Sequence, residues 1–199
     1  MPDGGANARP EFWDARYASG QTPWDFGGAP AALGRFLART PSPGRVLIPG
    51  CGSGYEVRAF HEAGAEVVAL DFSAGAVSRA RSLLGPLARC VLHGDFFLHD
   101  FGEARFDLVY ERTFLCALEP ARRPSYARRM AEVLRPGGRL VGTFLYGREP
   151  EPPPYPMTRE ESGALLGGGF RLGREEAVGD SLPVFDGMEE RWQEWVREA

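Results

Sequence analysis

Three glycines, Gly50, Gly52 and Gly54, occupy alternate positions in RVLIPGCGSGYEV, directly behind an apolar run. A backbone that bare lets a ligand approach closely and allows turns that a Cβ would forbid. Carboxylates stand at comparable places further on: Asp71 ends EVVALD, Asp95 follows RCVLHG, and Glu111 ends FDLVYE with Arg112 behind it. Together such groups can offer backbone N–H donors, accept hydrogen bonds from hydroxyls or amines, and set one cation beside an electron-rich partner.

The spacing argues against several chemistries. A dinucleotide fingerprint, GxGxxG, needs its third glycine at residue 55, which is Tyr55. A nucleophile elbow around Ser53 needs glycine at 51 and 55, where Cys51 and Tyr55 stand. All 23 basic residues are arginine, which removes the phosphate-loop lysine and Schiff-base chemistry. The observed GxGxG leaves room for an uncharged or zwitterionic group rather than a diphosphate.

Asp71 lies seventeen residues past Gly54, where a carboxylate can accept both ribose hydroxyls of an adenosyl group. Its plainer role is a loop carboxylate for the helix beginning at Ser73. Asp95 is placed to accept from an exocyclic adenine amine, with Phe96 as a stacking surface; the alternative is an ordinary turn aspartate. Cys51 reads as a small hydrophobe in a tight turn, with no base beside it.

The elements that must position these groups follow from hydrophobic period. A helix is predicted from about Pro30 to Arg39, and PSPG then breaks the chain before the first strand. Beyond it, β-type runs (VLIP, EVVALD, RCVLHGD, FDLVYE, RLVGTFLYG) alternate with helix-type periods (YEVRAFHEAG, SAGAVSRARSLL, RPSYARRMAEVLRP). That alternation predicts an α/β fold, a doubly wound, mostly parallel sheet flanked by helices. Ser73 is placed as an N-cap, while Gly64 and Pro136-Gly137-Gly138 are expected to close two helices. The proline-rich stretch REPEPPPYPMT is expected to be a loop over one face. TREESGALLGGGF is expected to be a helix and RLGREEAV a strand. ERWQEWVREA reads as a terminal strand with Trp192 and Trp195 on opposite faces, or else as a short helix.

The 199 residues support one domain: a flexible start over 1–10, an aromatic segment over 11–40 and a core over 41–199. A net charge of −4 leaves no basic footprint for nucleic acid. No apolar run approaches the roughly 20 residues of a membrane span, and the glycine-rich start lacks a signal-peptide core. A cytoplasmic location is therefore expected. The scattered Cys51, Cys90 and Cys116 indicate neither disulfides nor zinc, and His61, His93 and His99 form no metal motif. No heptad or self-complementary patch is visible, so a monomer is the expectation.

With these residues on the page, the chain resembles a class I S-adenosylmethionine-dependent methyltransferase. It is more closely similar to the thiopurine S-methyltransferase family, especially its halide/thiol methyltransferase branch. The resemblance runs from FWDARYASGQTPWD through VLIPGCGSGYEV, VVALDFS, GDFF and FDLVYERTFLCALEPARRPSYARRM to LRPGGRL.

It implies S-adenosylmethionine as cofactor and a Rossmann-like core with an N-terminal aromatic lid, in which Trp13, Tyr17 and Trp24 close over the cofactor. Several relatives have tryptophan where Tyr17 stands. Without the family, the same three aromatics could equally pin a helix to the sheet. Gly50, Asp71, Asp95, Phe96 and Glu111 match cofactor-contacting positions, and the adjoining Cys51, Gly52 and Phe72 complete the expected set. Arg112 corresponds to an arginine near the substrate in thiopurine enzymes that plant-type halide/thiol enzymes do not keep. It would orient the acceptor or lower its pKa, or else form a structural ion pair with Glu111 or another rim carboxylate.

The implied reaction moves a methyl group to a small soft nucleophile, a thiol before others, because TFLCAL at 113–118 suggests a small apolar acceptor pocket. An O- or N-methyltransferase, an NAD-dependent oxidoreductase and a non-enzymatic adenosyl-ligand binding module remain the alternatives.

Overall fold

A computed structural model describes residues 6–103, 105–149 and 151–199. Helices α1 (Pro10–Ser19) and α2 (Ala31–Ala38) precede β1 (Arg45–Pro49), α3 (Tyr55–Glu62), β2 (Glu66–Asp71), α4 (Ala74–Leu84) and β3 (Val91–His93). Then come β4 (Phe106–Arg112), α5 (Arg123–Val133), β5 (Leu134–Tyr146), α6 (Arg159–Leu166), β6 (Phe170–Ala177) and β7 (Glu189–Arg197). Residues 1–5 of the expected flexible start lie outside the described residues, whereas Ala6–Ala8 form a 3-10 turn.

The seven strands form one sheet in the order β3-β2-β1-β4-β5-β7-β6. The first five are mutually parallel, and β7 inserts antiparallel between β5 and β6. Strand order reverses between β1 and β4, so a crevice opens at their carboxyl ends, where open α/β sheets bind ligands.

Alternating side chains feed two cores. Val46 and Ile48 of β1 join Leu33, Phe36, Val57 and Phe60 on the face covered by α2, α3 and α4. Leu47 joins Tyr126, Met130 and Leu166 on the face covered by α5 and α6. The terminal segment is a strand, and the period of 2 sends Trp192 into the first core and Trp195 into the second. Each buried side chain of this size contributes about 1.5–3 kcal/mol or more, which anchors the antiparallel edge to both layers.

Local signals explain most boundaries. Ser73 caps α4 by accepting from Ala76 N, and Thr158 with Glu161 forms a reciprocal capping box on α6. Gly64, at φ 83°, closes α3. Pro136-Gly137-Gly138 does not close α5: that helix stops at Val133, and the extended Leu134 already pairs with Phe106. The three residues instead lie in a bulge of β5, in the stretch between Leu134 and Arg139 that faces Phe106 to Leu108 of β4. There Asp107 accepts from Arg45 N and from Arg135 Nε, which makes the irregularity a bonded corner. Among the described residues, no helix is long and apolar enough to cross a membrane.

Candidate active site

The crevice encloses a cavity of about 400 Å³. Its lining unites Trp13, Tyr17 and Trp24 of the N-terminal segment with Gly50, Cys51 and Gly52 of the turn after β1. Asp71 and Phe72, then Asp95 and Phe96, supply the wall beyond β2 and β3, and Arg112 enters from β4. Glu111 is the expected site residue that does not line it.

The glycine turn takes its shape from backbone that side chains resist. Gly50 and Gly52 lie at φ 59° and 52°, in the left-handed region. A Cβ on Gly50 would come within 2.4 Å of Phe114 Cδ2, and one on Gly52 within 2.9 Å of Tyr17 Oη. Both glycines are thus needed for conformation and for space. Asp71 is buried and accepts from Gly52 N through Oδ2 and from Ser73 N through Oδ1, each at 2.9 Å. Burial raises its pKa, partly offset by those two donors. The turn-carboxylate role and a place at the cavity therefore coexist, because each oxygen keeps lone-pair capacity beyond one bond.

At the next strand end, Asp95 turns its Oδ1 onto Phe97 N at 2.7 Å. Phe96 meets Phe97 and Phe114 edge-on, at 5.4 and 5.5 Å between ring centroids. Cys51 is buried, and burial together with the charges of Asp71 and Glu56 pushes its thiol pKa up, which suits a packing residue and not a nucleophile.

Glu111 is committed elsewhere. Its Oε1 accepts from Phe114 N at 3.0 Å and Leu115 N at 2.9 Å, and its Oε2 from Tyr126 Oη at 2.7 Å. Burial outweighs these donors and raises its pKa to about 7. This side chain fastens the turn that follows β4. Within that turn Thr113 adopts φ 58°, a strained state for a β-branched residue worth about 1–3 kcal/mol. The Glu111 bonds hold it, and Phe114 is thereby delivered over Gly50.

Arg112 forms no ion pair among the described residues; its guanidinium stacks 4.8 Å from the Phe26 ring centroid. The structural pair with Glu111 is thus absent. Around it lie Glu56 of α3, 7% exposed, and Tyr110, whose buried hydroxyl finds no partner.

The N-terminal segment is fastened to the turn by two aspartates that sequence reasoning missed. Asp14 of α1 accepts from Ser73 Oγ at 2.6 Å and Gly75 N at 2.9 Å, at the N-terminus of α4. These bonds lower its pKa, led by the one from Ser73. Asp25, of the quoted TPWD, accepts from Ser53 Oγ at 2.6 Å and Gly27 N at 2.9 Å, with Arg79 at 3.3 Å. Burial would raise its pKa, but the hydrogen bonds and the arginine outweigh it, for a net fall. Trp24 packs edge-on to Trp13 and Tyr17, at 5.1 and 6.1 Å. The signal available in the sequence was the acidic residue inside each aromatic stretch, FWD and PWD.

A glycine turn after β1, an acidic residue ending β2, and a cavity at the β1/β4 switch point in this strand order define the Rossmann-like fold of S-adenosylmethionine-dependent methyltransferases. The solved 1,6-didemethyltoxoflavin-N1-methyltransferase of Burkholderia thailandensis, with bound S-adenosylhomocysteine, superposes with TM-score 0.76 over 96% of this chain and 87% of that one, at 22% identity. The family model for thiopurine S-methyltransferase matches residues 8–198, so the chain belongs to that family. Over 160 residues it is 36% identical to the probable thiol methyltransferase 2 of Arabidopsis thaliana, covering 77% of this chain and 70% of the relative. Thiopurine S-methyltransferase of Pseudomonas aeruginosa is 32% identical over 209 residues, 95% of each chain.

Proposed function

We propose that this chain, acting as one methyltransferase domain, moves the methyl group of S-adenosylmethionine to a small soft nucleophile, a thiol first among them. The observation that carries the reading is one cavity lined together by the glycine turn and Asp71, by Arg112 and by the apolar Phe114 and Leu118. Relatives named for thiol and thiopurine methylation support the choice of acceptor.

The residues present fit the cofactor. Gly50, Cys51 and Gly52 leave backbone room for its amino-acid portion. Asp71 retains acceptor capacity for ribose hydroxyls, and Asp95 with Phe72 and Phe96 can flank a purine. When bound, the cofactor supplies an electrophilic methyl group on a positively charged sulfur. The protein's own contribution is positional: Trp13, Tyr17 and Trp24 form a lid that excludes water, and Pro153, Pro154 and Phe185 bound the acceptor end. Arg112 favours the thiolate form of the acceptor by its charge.

Calorimetric titration with S-adenosylmethionine, S-adenosylhomocysteine and NADH tests the reading, using wild type and Asp71→Ala. Tight binding of the first two, weakened in the variant, followed by turnover of thiols in an acceptor panel, is expected. Binding of NADH alone would sink it, and cofactor binding without turnover of any acceptor would leave an adenosyl-binding module. Turnover confined to oxygen or nitrogen acceptors would move the assignment to an O- or N-methyltransferase.

A further inference from the structure

We propose that Glu56 takes the proton from the acceptor thiol, working opposite Arg112 at the acceptor end of the cavity. The proposal rests on the methyltransferase reading above. Glu56 is the second residue of α3, and it lines the cavity while only 7% of the residue is exposed. Among the described residues it accepts no side-chain hydrogen bond and forms no ion pair, although it feels the charge of Arg112. Arg112 is likewise without an ion pair, and Tyr110, also a lining residue, has a buried hydroxyl without a partner.

Burying an ionised carboxylate with no side-chain donor and no ion-pair partner is costly. An anion and a cation that share a cavity without touching leave a gap between them. A group fills that gap if it can give a proton to one side and present electron density to the other, and a thiol does both. The S–H bond breaks, its proton passes to a Glu56 oxygen, and the electron pair stays on sulfur beside Arg112. That sulfur bonds to the methyl carbon of the sulfonium donor, whose departing S–C pair neutralises the donor sulfur. The Glu56 proton is lost to water when products leave.

The neighbourhood suits the task. Burial raises the pKa of Glu56, the Arg112 charge and its own backbone N–H oppose the rise, and Asp25 adds to it. Tyr110 and Cys51, the other titratable groups facing it, are held neutral by their own burial. A carboxylate of raised basicity facing the cavity is what general-base catalysis asks for.

The test compares an acceptor that carries a proton with one that does not: 2-mercaptoethanol against thiocyanate, followed as kcat/KM from pH ~6 to ~9. In Glu56→Gln the ratio of thiol to thiocyanate methylation is expected to fall about 30-fold or more at pH ~7. The gap should close by about tenfold per pH unit as the thiol ionises by itself. Glu56→Asp, which keeps a carboxylate, should recover part of the ratio, and calorimetric affinity for S-adenosylhomocysteine should change less than about threefold. Equal loss with both acceptors, or a large loss of S-adenosylhomocysteine affinity, overturns the proposal and makes Glu56 a support for the cavity or a holder of the donor's ammonium. A wild type that methylates neither acceptor removes the functional reading and this proposal with it. An unchanged ratio in a wild-type background that does methylate thiols removes the proposal alone.

Discussion

The two ends of the cavity differ in how their polar groups are satisfied. Around the glycine turn, Asp71, Asp14 and Asp25 each accept from two or more groups of the fold itself. At the β4 end, Glu56, Arg112 and Tyr110 line the wall with no side-chain hydrogen bond or ion pair to one another or to other side chains among the described residues. A saturated end is preorganised and selects one ligand shape, whereas an unsatisfied end takes its missing partners from what binds there. One fold can therefore keep a single methyl donor while its acceptor varies.

The contrast breaks most visibly at Gly50. Gly50→Ala sets a Cβ within 2.4 Å of Phe114 at φ 59°; cofactor affinity is expected to fall by two orders of magnitude or more, equally for every acceptor, as read by calorimetry. Arg112→Ala should act at the other end. Thiol turnover should drop about 10- to 100-fold with an alkaline shift of the pH–rate profile, while S-adenosylhomocysteine affinity stays within about threefold. Unchanged turnover and profile would remove its role. Asp14→Ala deletes a cap-like acceptor worth about 1 kcal/mol, so cofactor affinity should weaken about fivefold, with faster proteolysis of the first 27 residues as a second readout.

The smallest ligand effect is expected at Glu111, where the change appears in stability. Its folded pKa, about 7, exceeds the ordinary 4.5, so the native state binds more protons between those values and stability falls as pH rises through them. Glu111→Gln keeps acceptance from Phe114 N and Leu115 N and should flatten that decline, measured as Tm against pH. A decline as steep as in wild type would mean that Glu111 titrates normally.

Much of the scaffold was legible because it obeys local rules. The alternation of periods gave the parallel strands, whereas the Trp192–Trp195 spacing left strand and short helix both open at the terminus. The PGG after α5 misled because a turn signal says only that the chain bends, and here the bend serves a bulge opposite Asp107. For Glu111 the position at a strand end was readable, but its three donors come from a turn and from α5, which only tertiary contact assembles. Glu56 left no trace, since a carboxylate in the first turn of a helix ordinarily reads as a favourable dipole partner. Asp14 and Asp25 were hidden behind the aromatics beside them.

The paired fastening of Asp14 and Asp25 bears on how fast the site can exchange its contents. Both carboxylates have lowered pKa values, so their contribution is full above the ordinary 3.8 and fades only as pH falls through the lower folded values. Mild acidity will not unfasten them. Because they grip the N-terminus of α4 and Ser53 of the glycine turn, the segment cannot swing away without loosening the cradle beneath it. On the lid reading proposed above, departure of spent cofactor and opening of the entrance would be a single event, and the residence time of product would be set by how often residues 10–27 lift as a unit.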